Sequence, residues 1–415
     1  MIIKRDSYLH KLIGSQRNGL VKIVTGGRRC GKSFLLFNLF HSYLVGNGVQ
    51  EDHIIEMSFD DRKNKKYRNA DLLLEYIDSK ASDNGLYYII LDEIQLVEDF
   101  VEVMLSLMHN SQYEVYVTGS NSKFLSKDIV TEFRGRGEEI RVWPLTFDEF
   151  YSAVGGDRRS AWKEYYTFGG LPQVLLMETD EKKTEYLRSI YELTYIKDIL
   201  ERNNMKNPEG FRQLVEVISS GIGSPTNPTR IANTFKSGEK IAIKENTIRT
   251  YISYLEDAFL IEEAKRYDVK GRKYIGTENK YYFLDMGLRA ISLNYRQQEE
   301  THIMENIIYN ELRTRGYLVD VGVVEKWVAD ENGARKRKNF EIDFVINKGA
   351  ERVYIQSAYQ MPTVEKVVQE QNSLLNVKDS FKKLIIVWDD IKKKVDDNGI
   401  VTVGLLDFLL GEYVL

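Results

Sequence analysis

Cysteine and histidine are scarce in this chain: Cys30 is the single thiol among 415 residues, and the five histidines are scattered. One thiol excludes an intramolecular disulfide and fits a reducing compartment. So few soft ligands also leave no zinc spacing. No apolar run approaches the roughly 18 residues of a membrane span, and MIIKRDSYLHKL lacks the apolar core of a secretion signal. A cytoplasmic protein with no membrane partner is therefore expected. The formal net charge is only −4, so the chain is no polycation, and any contact with nucleic acid has to come from local basic patches. A composition of 43% hydrophobic and 29% charged residues is that of an ordinary globular protein. The length suggests about three domains.

The most informative feature present is Gly26-Gly27-Arg28-Arg29-Cys30-Gly31-Lys32-Ser33, a complete G-x-x-x-x-G-K-S phosphate loop. It follows the strand-like run Val21-Lys22-Ile23-Val24 and leads through Phe34 into an apolar helical stretch. The glycines let backbone N–H groups turn onto phosphates, Lys32 reaches the β- and γ-phosphate oxygens, and the Ser33 hydroxyl stands where Mg²⁺ is ligated. ATP with Mg²⁺ is the expected ligand pair. Downstream, Tyr87 to Leu91 reads as a buried parallel strand ending in Asp92-Glu93. There Asp92 would hold Mg²⁺ through water, and Glu93 would polarise the attacking water as general base.

A strand at 115–119 ends in Ser120-Asn121, which puts a polar group where it can sense the γ-phosphate. Further strands at 54–58 and 139–143, with helical periodicity at 34–45, 71–80 and 98–109, predict a doubly wound parallel sheet. A strand between the two Walker strands, together with Asp-Glu at the strand end, points to the class with a catalytic glutamate. Phe133-Arg134-Gly135-Arg136-Gly137 offers a guanidinium to a neighbouring subunit's γ-phosphate; Arg136 is preferred because it lies nearer the last strand.

Taken together, GGRRCGKS, LDEIQ at 91–95, TGSN at 118–121, the GRG before VWPLTFDEF at 142–150, and FGGLPQVLL at 168–176 resemble prokaryotic AAA-superfamily ATPases with a C-terminal domain of unknown function. The resemblance implies an ATPase core, a helical lid and a C-terminal region comparable with restriction-endonuclease folds. Carried over residue by residue, it supports Lys32, Ser33, Asp92, Glu93, Asn121 and Arg136. It brings no substrate.

The resulting expectation is an α/β chain with four segments. A P-loop ATPase core spans 1–155 and a helical lid 156–205, where Gly169-Gly170 forms either a hinge or a simple turn. A winged-helix-like domain spans 206–295, with three short helices and then a hairpin around Lys270-Gly271-Arg272-Lys273. On this reading Asn246, Thr247 and Arg249 face outward from the third helix, and Lys270, Arg272 and Lys273 meet phosphates of duplex DNA.

The last segment, 296–415, carries Glu305 on a helix, Asp343 in mid-strand and Gln356 on the next strand, an order that resembles the restriction-endonuclease-like fold. That chemistry needs acidic residues for Mg²⁺ and an acid-x-Lys pair to activate water. Here the pair is Gln356-Ser357-Ala358, so a degenerate nuclease fold kept for binding is expected. Lys366 could replace the missing ammonium only from a helix packed on that strand. The basic run Arg335-Lys336-Arg337-Lys338 lies between strands and reads equally as a phosphate grip or a solvated tip. The leading expectation is an ATPase controlling a DNA- or partner-binding module. The alternatives are a nucleotide switch that binds a protein partner without touching DNA, and, behind it, a metal-dependent nuclease. A trans-acting arginine would require a homo-oligomer.

Overall fold

The computed structural model describes residues 2–119, 135–239, 243–329 and 335–415, and the chain divides into two compact units. The first comprises Met1–Pro144, Leu171–Leu176 and Asp257–Phe259. Its sheet contains β1 (Val21–Thr25), β2 (Ile54–Ser58), β3 (Tyr87–Asp92), β4 (Tyr113–Thr118) and β5 (Gly137–Arg141) in the order β2-β3-β4-β1-β5. All neighbours run parallel. Parallel strands need crossovers on both faces, which is why β1 and β3 are buried along their whole length and read as near-continuous apolar runs. β4 does lie between β3 and β1, as the paired Walker motifs suggested.

One residue in β1 carries a charge. Lys22 is fully buried, and its ammonium is paired with the carboxylate of Glu114 on β4. The same carboxylate accepts the Arg17 N–H at 3.0 Å, so the buried charge is matched and hydrogen-bonded.

The second unit comprises Leu145–Gly170, Met177–Glu256 and Leu260–Leu415. Its eight-stranded sheet contains β6 (Ile261–Asp268), β7 (Lys273–Phe283), β8 (Leu318–Ala329), β9 (Arg335–Lys348), β10 (Glu351–Ala358), β11 (Lys382–Val387), β12 (Lys394–Val395) and β13 (Val401–Gly404). The order is β12-β13-β11-β10-β9-β8-β6-β7. Helices Pro208–Ser220, Pro228–Thr234 and Glu245–Asp257 precede the β6–β7 hairpin. Each of the first two starts with an Asn side chain accepting a backbone N–H two residues into the helix and a proline at the first helical position, a combination readable from sequence.

The hairpin expected as a wing is not free-standing. β6 pairs in parallel with β8 through Arg266, Tyr267 and Asp268, which joins the hairpin to the C-terminal sheet. The run Arg335–Lys338 is likewise within β9 and paired with β8, not in a connecting loop.

Gly169-Gly170 is held in place by a buried carboxylate. Asp285 accepts the Gly170 N–H at 2.7 Å and the Leu288 N–H at 3.0 Å, capping helix Met286–Ser292. Gly169 has φ +79°, and a Cβ there would lie 2.2 Å from Asp285 Oδ1. We predict that Gly169→Ala lowers stability by roughly 2–3 kcal/mol, the sum of backbone strain and a clash. Gly399→Ala, at φ +76° but with open space around it, should lose only about 1 kcal/mol. Equal losses in urea denaturation would show that Asp285 does not lock the turn.

Candidate active site

The loop after β1 turns through Gly26 at φ +135° and Gly31 at φ +92°, both outside the range comfortable for a side chain. Gly26 is also required by space, since a Cβ there would meet the Val142 carbonyl oxygen at 2.0 Å. Arg29 adopts φ +65° in the same loop. A non-glycine residue in this region costs about 1–3 kcal/mol, which the surrounding structure must offset.

Two side chains from the N-terminal helix Asp6–Gly14 and its cap contribute to that frame. Arg5, itself buried, donates to the Cys30 carbonyl at 3.1 Å and the Trp143 carbonyl at 2.8 Å, and the Tyr8 hydroxyl accepts the Trp143 N–H at 3.1 Å. Neither residue carried a sequence signal, because their partners lie far along the chain.

Lys32, Ser33, Asp92 and Glu93 come together at the carboxyl ends of β1, β3 and β4. Lys32 is buried, and its ammonium donates to the Gly26 and Gly27 carbonyls at 2.9 and 3.0 Å. Burial lowers its pKa, against the opposing pull of Cys30, Glu93 and Asp92. Cys30 is buried beside it, with Sγ 4.0 Å from the Arg28 carbonyl. Arg28 is half-buried, while Arg29 and Phe34 are exposed.

Asp92 is the junction of the site. Its carboxylate accepts hydroxyl hydrogen bonds from Ser33 at 2.9 and 3.0 Å, Thr118 at 2.6 Å and Ser58 at 3.1 Å. Burial raises its pKa, and the hydroxyl donors, Thr118 and Ser33 foremost, pull it back. Glu93 follows at φ +56°, with its N–H donating to Thr118 Oγ1 at 3.0 Å and its carboxylate accepting from the Gln95 amide. Thr118 therefore touches both acids: it donates to one and accepts from the backbone of the other. Ser58, Gln95 and Thr118 are site residues that sequence reasoning passed over; the signal for Thr118 was its place at the end of the strand between the Walker strands.

Asn121, together with Ser120 and Arg134, lies outside the described residues. Arg136 is described and exposed, and its carbonyl accepts the Val21 N–H at 3.0 Å at the start of β1. The phosphate loop leaves the other end of that five-residue strand. At about 3.3 Å per residue, the two ends are roughly 15 Å apart. The structure therefore does not bring Arg136 to the phosphate loop of its own chain.

In the second unit, Glu305 from helix Glu300–Thr314 and Asp343 from β9 do meet, and both are buried. An ammonium does approach these acids, from another strand. Lys280 of β7 contacts Glu305 at 3.0 Å and Glu341 at 2.7 Å, while the Tyr282 hydroxyl donates to Glu305 at 2.7 Å. Burial pulls the Lys280 pKa down, but Glu305, Asp343 and Glu341 outweigh it and leave the pKa above the usual lysine value. Asp343 is pushed well above the carboxylate range, first by burial and then by Glu305, and it accepts the Ser357 N–H at 2.8 Å.

Gln356 is tied instead to the Ser373 hydroxyl at 3.3 Å, and Lys366 to Glu370 at 2.5 Å. Among the described residues, no group of three His, Cys, Asp or Glu side chains is arranged to hold a metal ion. Removing one partner of such a buried pair costs about 3–5 kcal/mol. On helix Glu245–Asp257, Asn246 is exposed and Thr247 half-buried, while Arg249 is committed to Glu245 at 2.8 Å. Lys270, Arg272 and Lys273 are exposed, and Lys270 donates to the Glu325 carbonyl at 2.7 Å.

The parallel order β2-β3-β4-β1-β5, with a phosphate loop after β1 and paired acids after β3, defines an AAA-superfamily ATPase domain. Comparison with known proteins agrees: the AAA domain family matches residues 18–151, and a domain of unknown function matches 159–299. An uncharacterized Haemophilus influenzae protein is 32% identical over 99% of both chains. An uncharacterized Methanocaldococcus jannaschii protein is 26% identical over 94% of this chain and 86% of its own. This chain belongs to the family of that Haemophilus influenzae protein.

Among solved structures, the Aeropyrum pernix ORC1 protein in complex with DNA is 12% identical, covering 71% of this chain and 93% of that one at a TM-score of 0.29. Cdc6p from Pyrobaculum aerophilum is 11% identical, covering 74% and 96% at 0.30. Scores this low leave the assignment resting on strand order and the sequence family. Among the described residues, no helix is long and apolar enough to cross a membrane.

Thr118→Val removes the hydroxyl that supports both acids while keeping the shape of the side chain. A loss of about 1–2 kcal/mol of transition-state positioning should lower kcat for ATP roughly 5- to 30-fold, with KM nearly unchanged. An unaltered kcat in a correctly folded variant would remove Thr118 from the site.

Proposed function

We propose that the chain binds and hydrolyses Mg·ATP and uses the cycle to control a DNA- or partner-binding module in its second unit. The observation that carries this reading is the Ser33–Asp92–Thr118–Glu93 connection, in which one hydrogen-bonded chain links the phosphate loop to the candidate base. The Ser33 hydroxyl and Asp92 carboxylate are hard oxygen donors less than one side chain apart and suit Mg²⁺. When bound, the ion would neutralise charge on the β- and γ-phosphate oxygens.

Lys32 would leave the loop carbonyls for a γ-phosphate oxygen, which keeps its ammonium hydrogen-bonded throughout. Glu93 would take the proton of the attacking water, while Gln95 restrains its carboxylate. Asn121 would sense the γ-phosphate. Arg136, at the far edge of the sheet, would serve the site of a second copy, so the active form would be a homo-oligomer. Along the chain we assign a helical lid at 156–205, a winged-helix-like segment at 206–295 and a nuclease-like fold at 296–415 that does not cut. Lys280, entering from the winged-helix-like segment, would neutralise the acids of the last segment that a nuclease would need for metal.

Glu93→Gln should retain ATP affinity and lose hydrolysis by roughly 10²–10⁴-fold, whereas Lys32→Ala should lose binding. Equilibrium binding of a fluorescent ATP analogue and phosphate release separate the two. Normal turnover by Glu93→Gln would show that another group is the base.

A further inference from the structure

The strand pairing brings together two basic runs that lie far apart in the sequence. In the β8–β9 ribbon, Lys326 stands directly opposite Lys338, and Val328 opposite Lys336. Because side chains alternate along a strand, Lys326, Lys336 and Lys338 project from one face, with Arg337 on the other. Arg337 is paired with Glu325. Among the described residues, no carboxylate pairs with the three lysines.

Like charges directly opposite one another in an antiparallel pair are destabilising, and a polyanion laid across this face would relieve that repulsion. β6 runs along the other edge of β8, and its turn reaches the same ribbon where Lys270 donates to the Glu325 carbonyl at 2.7 Å. Lys270, Arg272 and Lys273 are exposed on this turn.

We propose that this face of the β8–β9 ribbon, together with the β6–β7 turn, is a sequence-independent binding surface for the phosphate backbone of duplex DNA. The proposal rests on reading the second unit as a DNA-binding module, and it moves the contact from the helix Glu245–Asp257 to the sheet. Duplex DNA is favoured over an acidic protein by shape, because the lysines stand on a two-stranded antiparallel ribbon, a shape that the major groove of a duplex admits.

The test is fluorescence polarisation of the full chain with a random-sequence labelled duplex, titrated between about 50 and 200 mM salt. The variant K326Q/K336Q/K338Q is compared with K63Q/K65Q/K66Q, which removes the same charge from the first unit. Losing three phosphate contacts should flatten the slope of log K against log salt by about 2.7 and weaken binding roughly tenfold or more at low salt. The control variant should match the unmodified chain, and ATP turnover without DNA should be unchanged in both. Equal losses in the two variants, or no loss in the first, would overturn the ribbon as the contact. A labelled poly-glutamate peptide bound as tightly as the duplex would assign the surface to an acidic protein partner and also overturn it. Failure of the unmodified chain to bind duplex at all would overturn the DNA reading of the second unit, leaving the ATPase reading to its own assay.

Discussion

The geometry of the candidate site depends on one buried carboxylate. Asp92 sits at the end of β3 and accepts hydroxyl hydrogen bonds from the phosphate-loop helix, from β2 and from β4. Hydrogen bonds to a charged acceptor contribute about 1.5–3 kcal/mol each, and an unsatisfied buried charge costs more than that. These bonds therefore set both the register of the strand ends and the position of Ser33. They depend on strand order: β4 has to separate β1 from β3 for Thr118 to reach Asp92 on one side while standing near the phosphate loop on the other.

Backbone strain is present on both sides of this junction. Gly26 and Arg29 in the loop, Gly31 before the helix and Glu93 after the strand all have positive φ. The loop and the Glu93 turn are held by partners that a free loop would lack: the β5 end packs on Gly26, Arg5 bonds the Cys30 carbonyl, and Thr118 accepts the Glu93 N–H. Backbone N–H groups fixed in this way need little reorganisation when a phosphate arrives, and that is the physical use of a pre-formed anion cradle.

The first unit was legible because parallel strands and phosphate loops impose local patterns. The apolar runs ending in Asp92-Glu93 and in Thr118-Gly119 placed β3 and β4 within a residue or two, and the glycine-lysine spacing located the loop. Arg5, Tyr8 and Ser58 were not legible, because each acts through a partner that only the folded chain brings near. The acidic cluster shows the same limit in a different form. Sequence reasoning looked for an ammonium two residues after Gln356 and found Ala358, whereas Lys280 enters from β7. No local spacing encodes that approach. The two basic runs were visible from the start, but only the β6–β8–β9 pairing brings them to one sheet.

The central claim is that the Asp92 junction forms a hydrolysing site completed by Arg136 from a second copy. Specific ATPase activity in Mg²⁺, measured across a wide range of protein concentration, tests it most directly. The account predicts Mg²⁺-dependent phosphate release whose rate per chain rises with concentration as copies associate, and a plateau that Arg136→Ala lowers. Activity per chain that is constant down to high dilution and unaffected by Arg136→Ala would contradict the shared site, and absence of Mg²⁺-dependent release at any concentration would contradict hydrolysis itself.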